Sequence, residues 1–240
     1  MNISFWLMRY LSFYNLTKFE NKGPYPSTSS GRRLGHIPER WDWRDSGMVS
    51  PVIRQGACND CWAYTAAGSM EFWLRKQTPD AEVSVQHILD CSPSTFGCRG
   101  GLMENVYTFK GWYKIGREEQ RLHRKTCRPC TPPACKGVRV KSYQIVDQHV
   151  ESVLASLVYA YGPVPVAIDM RTLHGYTGGV VTTCSNNPDH AMLVVGYTPE
   201  YWILKNSYGA HWGENGYVRI VRGQNMCGID LYAAVVTGIQ

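Results

Sequence analysis

The 240-residue sequence has no stretch approaching the roughly 20 consecutive apolar residues of a membrane-spanning helix. It has no internal repeat and no low-complexity tract, which argues against solenoid or fibrous architecture. Dense positive charge is also nearly absent. The net charge of +6 is spread over short groups, and the one basic stretch, 117–128, contains Glu118 and Glu119. This argues against a dedicated nucleic-acid protein. The signal for a secretory leader is weak too: the apolar run ISFWLM at 3–8 is cut by Arg9, and no small-residue cleavage site follows cleanly. Asn2 and Asn15 lie in glycosylation sequons within that segment, whereas Asn187 precedes Pro188 and is excluded.

What is present points to a substantial fold. A 44% hydrophobic composition over 240 residues suffices for one large domain or for two small lobes sharing an interface. The 23 glycines, 15 tyrosines and 8 tryptophans favour turns, strands and bulky packing over a helix bundle. Nine cysteines suit an oxidising compartment, and the odd number leaves one thiol over. Eight paired cysteines allow 105 connectivities, so counting alone cannot draw the bridges.

Residues 1–36 pass from apolar and aromatic to KGPYPSTSSGRR, a linker composition, and the folded domain is expected to begin near Ile37. From Cys61, the run CWAYTAAGSMEFWLRKQ places Trp62, Ala66, Met70 and Trp73 on or near one helical face. Further helices are expected around 102–114 and 151–161, the latter stopping before Gly162-Pro163. The last third reads as strands at 164–168, 191–197, 201–206, 217–221 and 231–236, rich in β-branched and aromatic residues. Helices first and strands second imply an α+β fold with two lobes, and a cleft between lobes is a common place for a site.

Cys61 opens the longest predicted helix, where unsatisfied backbone N–H groups and the helix dipole favour a thiolate. Six residues earlier, the Gln55 amide could join the Cys61 backbone N–H in holding an oxyanion. Three other readings compete. Cys61 could be a structural half-cystine, it could form a redox pair with Cys58, or Cys58, Cys61, Cys127 and Cys130 could form a zinc knuckle. The redox pair requires a preceding strand, and DSGMVSPVIRQGA is a poor one; the zinc pairs stand far apart in an oxidising context.

The pattern Q-G-x-C-x-x-C-W-A resembles the signature of papain and the cathepsins, a family with a histidine and an asparagine far downstream. Asp189-His190-Ala191 and Lys205-Asn206-Ser207 stand in those places. Pro38 with WDWRDSGMVSPV, the stretch DCSPSTFGCRGGLM and HWGENGY extend the match over about 37–112 and 140–240, and GGLM is most similar to the cathepsin L branch. The resemblance implies a two-lobed papain-like fold, with a helical lobe at about 47–140, a β-barrel-like lobe at about 141–240 and the site between them. It implies a cysteine endopeptidase that uses no metal or cofactor. Cys61 is then the nucleophile, His190 the acid and base, and Asn206 the residue that fixes the ring, with sulfur and ring nitrogen about 3–4 Å apart. Trp212 is expected to cover the His190–Asn206 contact. Gly100 and Gly101 are expected to present backbone to an extended substrate. Leu102, Met103, Ala191 and, at the floor, Tyr232 would line an apolar pocket that favours Val or Leu over Phe.

The family also implies pairs Cys58–Cys98 and Cys184–Cys227, with Cys91 joined to one of Cys127, Cys130 and Cys135, which leaves Cys61 reduced. It implies residues 1–36 as a leader or partial propeptide and linker. Peptides and proteins as substrates, inhibitors of the cystatin type, a monomeric state, and a lysosomal or secreted location without a membrane span follow from the same likeness. Two departures stand out. The segment IGREEQRLHRKTCRPC replaces an aromatic region, and Asn59-Asp60 replaces a small pair before the nucleophile. That change predicts a bulkier subsite wall and a carboxylate close to a thiolate, which like charge disfavours. The alternative class is a protease-fold binding module without turnover, but such a module has no use for Gln55, Cys61, His190, Asn206 and Trp212 together.

Overall fold

The computed structural model describes residues 37–92, 95–109, 114–115 and 137–240. The first helix, α1 (Cys61–Arg75), is surrounded by protein: Trp62, Ala63, Ala66, Ala67, Met70, Phe72 and Leu74 are all buried, and Trp73 is half-buried. Its small residues allow close approach on several sides, which suits a central helix better than a surface one. Helix α2 (Val85–Cys91) packs beside it, capped by Ser84, whose hydroxyl accepts the His87 N–H at 3.2 Å. Helix α3 (Met103–Tyr107) belongs to the same lobe. The expected helix over 102–114 is therefore shorter. Lys114–Ile115 forms strand β3, paired antiparallel with β2 (Glu82–Val83), and a strand register cannot continue a helix.

The second lobe is one sheet of eight strands. Its path runs β4 (Val140–Val146), β10 (Ala233–Ile239), β5 (Val164–Ile168), β7 (His190–Tyr197), β8 (Tyr201–Lys205), β9 (Tyr217–Val221) and β6 (Val180–Val181). Neighbours are antiparallel except β6 and β9, and β1 (Trp41–Asp42) pairs with β7 off this path. The predicted strands over 164–168 and 217–221 are found unchanged, while 231–236 is corrected to Ala233–Ile239. Leu231 is exposed, and Tyr232 precedes the ladder. Helix α4 (Val150–Tyr161) covers the sheet with Val150, Leu154, Ala155, Leu157 and Val158. This is the 3.6-residue stripe expected of a surface helix.

Side-chain parity divides the core in two. Ala233 and its partner Val166 face the β-lobe interior with α4, whereas Ala167, Ala191, Tyr232 and Ala234 face the helical lobe. The lobes are thus joined by a packed seam, and Trp73 donates to the Val236 carbonyl across it at 3.1 Å. Two disulfides, Cys58–Cys98 and Cys184–Cys227, are formed as the resemblance implies. Cys91 is also disulfide-bonded; Cys127, Cys130 and Cys135 lie outside the described residues.

Helix α4 ends on Gly162 at φ +93°, where an added Cβ would meet the Phe72 ring at 2.3 Å. Gly162→Ala therefore combines backbone strain with overpacking. It is expected to remove about 2–4 kcal/mol of unfolding free energy in a urea titration. A loss below about 0.5 kcal/mol, the size of an ordinary surface substitution, would show that turn and ring adjust freely.

Candidate active site

Cys61 is the first residue of α1, and among the described residues it is the one free cysteine. Asp60 holds the N-cap place without capping through its side chain; its carbonyl instead accepts the Ala63 and Tyr64 N–H groups at 2.9 and 3.2 Å. The helix start thus keeps backbone N–H groups with no intrahelical acceptor. The Cys61 sulfur is approached by the backbone N–H groups of Ala191 and Trp62, each favouring the thiolate. Burial opposes them and, with the charges of Asp60 and Asp189, pushes the thiol up to about 12.

The Ala191 contact brings Cys61 to the start of β7, whose first residue is His190. The buried His190 Nε2 lies 2.8 Å from Asn206 Oδ1, at the end of β8. Asn206 Oδ1 also accepts the Ser207 N–H at 2.8 Å, so this oxygen is an acceptor toward the ring and Nε2 carries a proton. In the neutral imidazole, Nδ1 is then the basic nitrogen. Burial lowers the His190 pKa, while the Asn206 bond and the Asp189 charge favour the imidazolium. Both Cys61 and His190 are thereby biased toward their neutral forms, and they become charged together when a proton passes between them.

Gln55 is buried at the same place. Its Nε2 donates to the Cys58 carbonyl at 2.8 Å, its Oε1 accepts the Ser207 hydroxyl, and its backbone N–H donates to the Ser207 carbonyl at 2.8 Å. One amide N–H remains uncommitted by these contacts. On the other side, the Cys58–Cys98 bridge and the Asn59 N–H to Cys98 carbonyl bond at 3.1 Å fasten the 97–101 loop to the helix start. Trp62 donates to the Gly97 carbonyl at 3.3 Å and lies so close to Gly101 that a Cβ there would fall 2.8 Å from its ring. Gly101 is thus required by close approach, which sets the Gly100-Gly101 backbone beside the start of α1.

The structure brings together Gln55, Cys61, His190 and Asn206 as anticipated, and it alters three readings. The ring against His190 is Tyr208, with centroids 5.1 Å apart, and Trp212 packs edge-on against Tyr208 at 6.0 Å. Sequence reasoning gave Trp212 the covering place and missed Tyr208, although Asn206-Ser207-Tyr208 runs on from the asparagine motif. Asp60 is fully buried, whereas Asn59 stays half-buried, so of the two only Asn59 is partly open to solvent. Tyr232, expected as an apolar floor, is buried with Met103 and Ala191 in one cluster against which Cys61 packs, and its hydroxyl donates to Glu104. Leu102 is half-buried beside them.

A separate recess beside Asn206 is lined by Ser50, Tyr64, Glu71, Leu193 and Lys205. It does not include Cys61 or His190. The Lys205 ammonium there donates to the Ser50 carbonyl at 2.7 Å and hydroxyl at 3.0 Å, and burial draws its pKa down to about 8. Among the described residues, no group of three or more His, Cys, Asp or Glu side chains is arranged to hold a metal ion, and no helix is long and apolar enough to cross a membrane.

A helix-start cysteine set against a histidine–asparagine pair, between a helical lobe and a mainly antiparallel sheet, defines the papain-like class of fold and site. Residues 37–237 match the family model described as Papain family cysteine protease. The chain is 38% identical to Cathepsin 7 of Mus musculus over 84% of its length and 66% of the mouse protein. It is 36% identical to a Cathepsin L-like proteinase of Fasciola hepatica over 83% of its length and 65% of the fluke protein. Among solved structures it resembles the digestive procathepsin L2 proteinase of Tenebrio molitor larval midgut, with TM-score 0.76, 35% identity, and coverage of 86% of this chain and 70% of that one. It also resembles the Carica candamarcensis cysteine protease CMS1MS2 in complex with E-64, with TM-score 0.73, 30% identity, and coverage of 82% and 97%. The chain belongs to the papain family of cysteine proteases. It spans about two thirds of the length of these two curated relatives.

Proposed function

We propose that this protein is a cysteine endopeptidase in which Cys61 attacks the peptide carbonyl and His190 moves the proton. The observation that carries the reading is the His190–Asn206 hydrogen bond. With Nε2 committed to Asn206 at 2.8 Å, the free Nδ1 is the base available to a sulfur held against the next residue's N–H. The Cys61 proton passes to Nδ1 as sulfur bonds to carbon. The Cys61 N–H and the remaining Gln55 amide N–H receive the oxyanion. The imidazolium then protonates the leaving amine, and water, deprotonated by the same ring, releases the acyl group.

In the same reading, residues 37–240 are the peptidase domain, and Gly100 and Gly101 bind substrate backbone. Leu102, Met103, Ala191 and Tyr232 form the neighbouring pocket, and Trp212 supports the site through Tyr208. Peptide and protein substrates, control by cystatin-type inhibitors, a monomeric state and a lysosomal or secreted place belong to the same proposal. E-64 stands bound in the Carica structure, so an epoxide trap of that kind supplies the test. One equivalent should attach to Cys61 and abolish peptide hydrolysis in parallel. A folded protein that hydrolyses no peptide and takes no label would favour the binding-module alternative.

The buried Asp60 gives a second expectation. Its charge raises the Cys61 thiol pKa, so removing that charge should let the thiolate form at lower pH. Asp60→Asn is expected to move the midpoint of Cys61 alkylation by iodoacetamide to lower pH and to speed labelling several-fold at neutral pH. An unmoved midpoint would mean that the carboxylate is not felt at the sulfur.

A further inference from the structure

Glu104 lies in the first turn of α3, three residues after Gly101. Its carboxylate accepts the Tyr232 hydroxyl, a contact that spans 128 residues of chain and joins the two lobes. The hydroxyls of Tyr107 and Tyr143 also feel its charge, and Tyr107 bonds to Ser69 at 2.9 Å. Among the described residues, no cation acts on Glu104; burial pushes its carboxyl up, and the Tyr232 bond works in the opposite direction. Sheet parity turns Tyr232 and Ala191 toward the helical lobe, in the cluster that holds Met103 and against which Cys61 packs. The Tyr232 ring and its carboxylate partner thus border the cluster against which Cys61 packs.

We propose that Glu104 is a specificity-determining residue of the pocket for the second residue before the cleaved bond, and that Tyr232 masks it. This rests on the peptidase reading above. While the tyrosine hydroxyl occupies the carboxylate, the pocket is short and presents mainly apolar surface, which suits Val or Leu. With the ring removed, the same carboxylate becomes an accessible acceptor deep in the pocket. A Lys or Arg side chain could then be desolvated there, because its charge would find a partner.

The test compares the wild-type protein, Tyr232→Ala and Tyr232→Ala with Glu104→Gln. Active concentrations are fixed by thiol-trap titration, and peptide substrates differ only in Val, Phe or Arg at that position. Tyr232→Ala should raise the Arg-to-Val ratio of kcat/KM by roughly tenfold or more, the scale of one hydrogen bond to a charged group. Adding Glu104→Gln should return that ratio near the wild-type value while the gain for Phe persists. Acceptance of Phe alone in Tyr232→Ala, or an Arg gain that survives Glu104→Gln, overturns the proposal. If Tyr232→Ala does not fold, Tyr232→Ser is read in the same way. Failure of the trap to label the wild-type protein is a separate result, which removes the peptidase reading and this proposal with it.

Discussion

Cys61→Ala should lower kcat/KM on a peptide substrate by roughly 10⁴-fold or more, the scale seen when a nucleophile is removed from a cooperating set. The remaining oxyanion donors, His190 and the substrate-facing backbone would lack an atom with which to form the acyl bond. The same substitution should leave the thermal midpoint within about 2 °C, because it opens no bridge and deletes only one sulfur. Paired measurements of hydrolysis and melting decide the matter. Activity that survives the substitution would remove Cys61 from the chemistry, and a large fall in the midpoint would make it a structural residue.

The opposite pattern is expected at Cys184. Its bridge to Cys227 closes a sequence separation of 43 residues and ties the segment before β7 to the turn before β10. Replacing both cysteines by alanine, which avoids a stray thiol, should cost about 2–5 kcal/mol in a urea titration. Turnover per folded molecule should persist, since neither sulfur touches His190, Asn206 or Cys61. A loss below about 1 kcal/mol would mean that the surrounding contacts hold the segment without the bridge. The strongest of these contacts centre on Asp169. Its carboxylate accepts Arg171, the Ser185 hydroxyl and the Asn187 N–H, and these hydrogen bonds hold its pKa well below the usual carboxylate range despite burial.

Much of this architecture was legible because local pattern and final environment agree. Helix α1 begins at the residue read from the sequence and ends two positions early, and α4 stops at Gly162 as expected. Strands β5, β7, β8 and β9 are continuous apolar or alternating runs bounded by turn residues, and the fold keeps them. Helix α2 was missed because seven residues are too few to show a 3.6-residue period, although Ser84 gives it an N-cap. Strand β4 was missed because VKSYQIV buries only its two ends among mostly polar or half-exposed positions, and its pairing with β10 supplies what propensity does not. At the site, Gln55, Cys61, His190 and Asn206 could be named from their motifs. Tyr208 could not be separated from Trp212, because both are aromatic residues in one glycine-rich loop and only packing decides which ring meets the imidazole.

The sequence by itself determined the family and the order of helices and strands. These depend on residue type, on short spacing and on motifs that stay together along the chain. The tertiary structure alone decided how charges and hydroxyls are paired across the seam. It turned the Asp60 carboxylate inward, where it opposes the thiolate, and it set Glu104 against Tyr232 across the two lobes. The physical reason is that burial and pairing are properties of surroundings assembled from distant segments. A carboxylate beside a cysteine in sequence reads the same whether it faces water or the core, yet water screens its charge and the core does not.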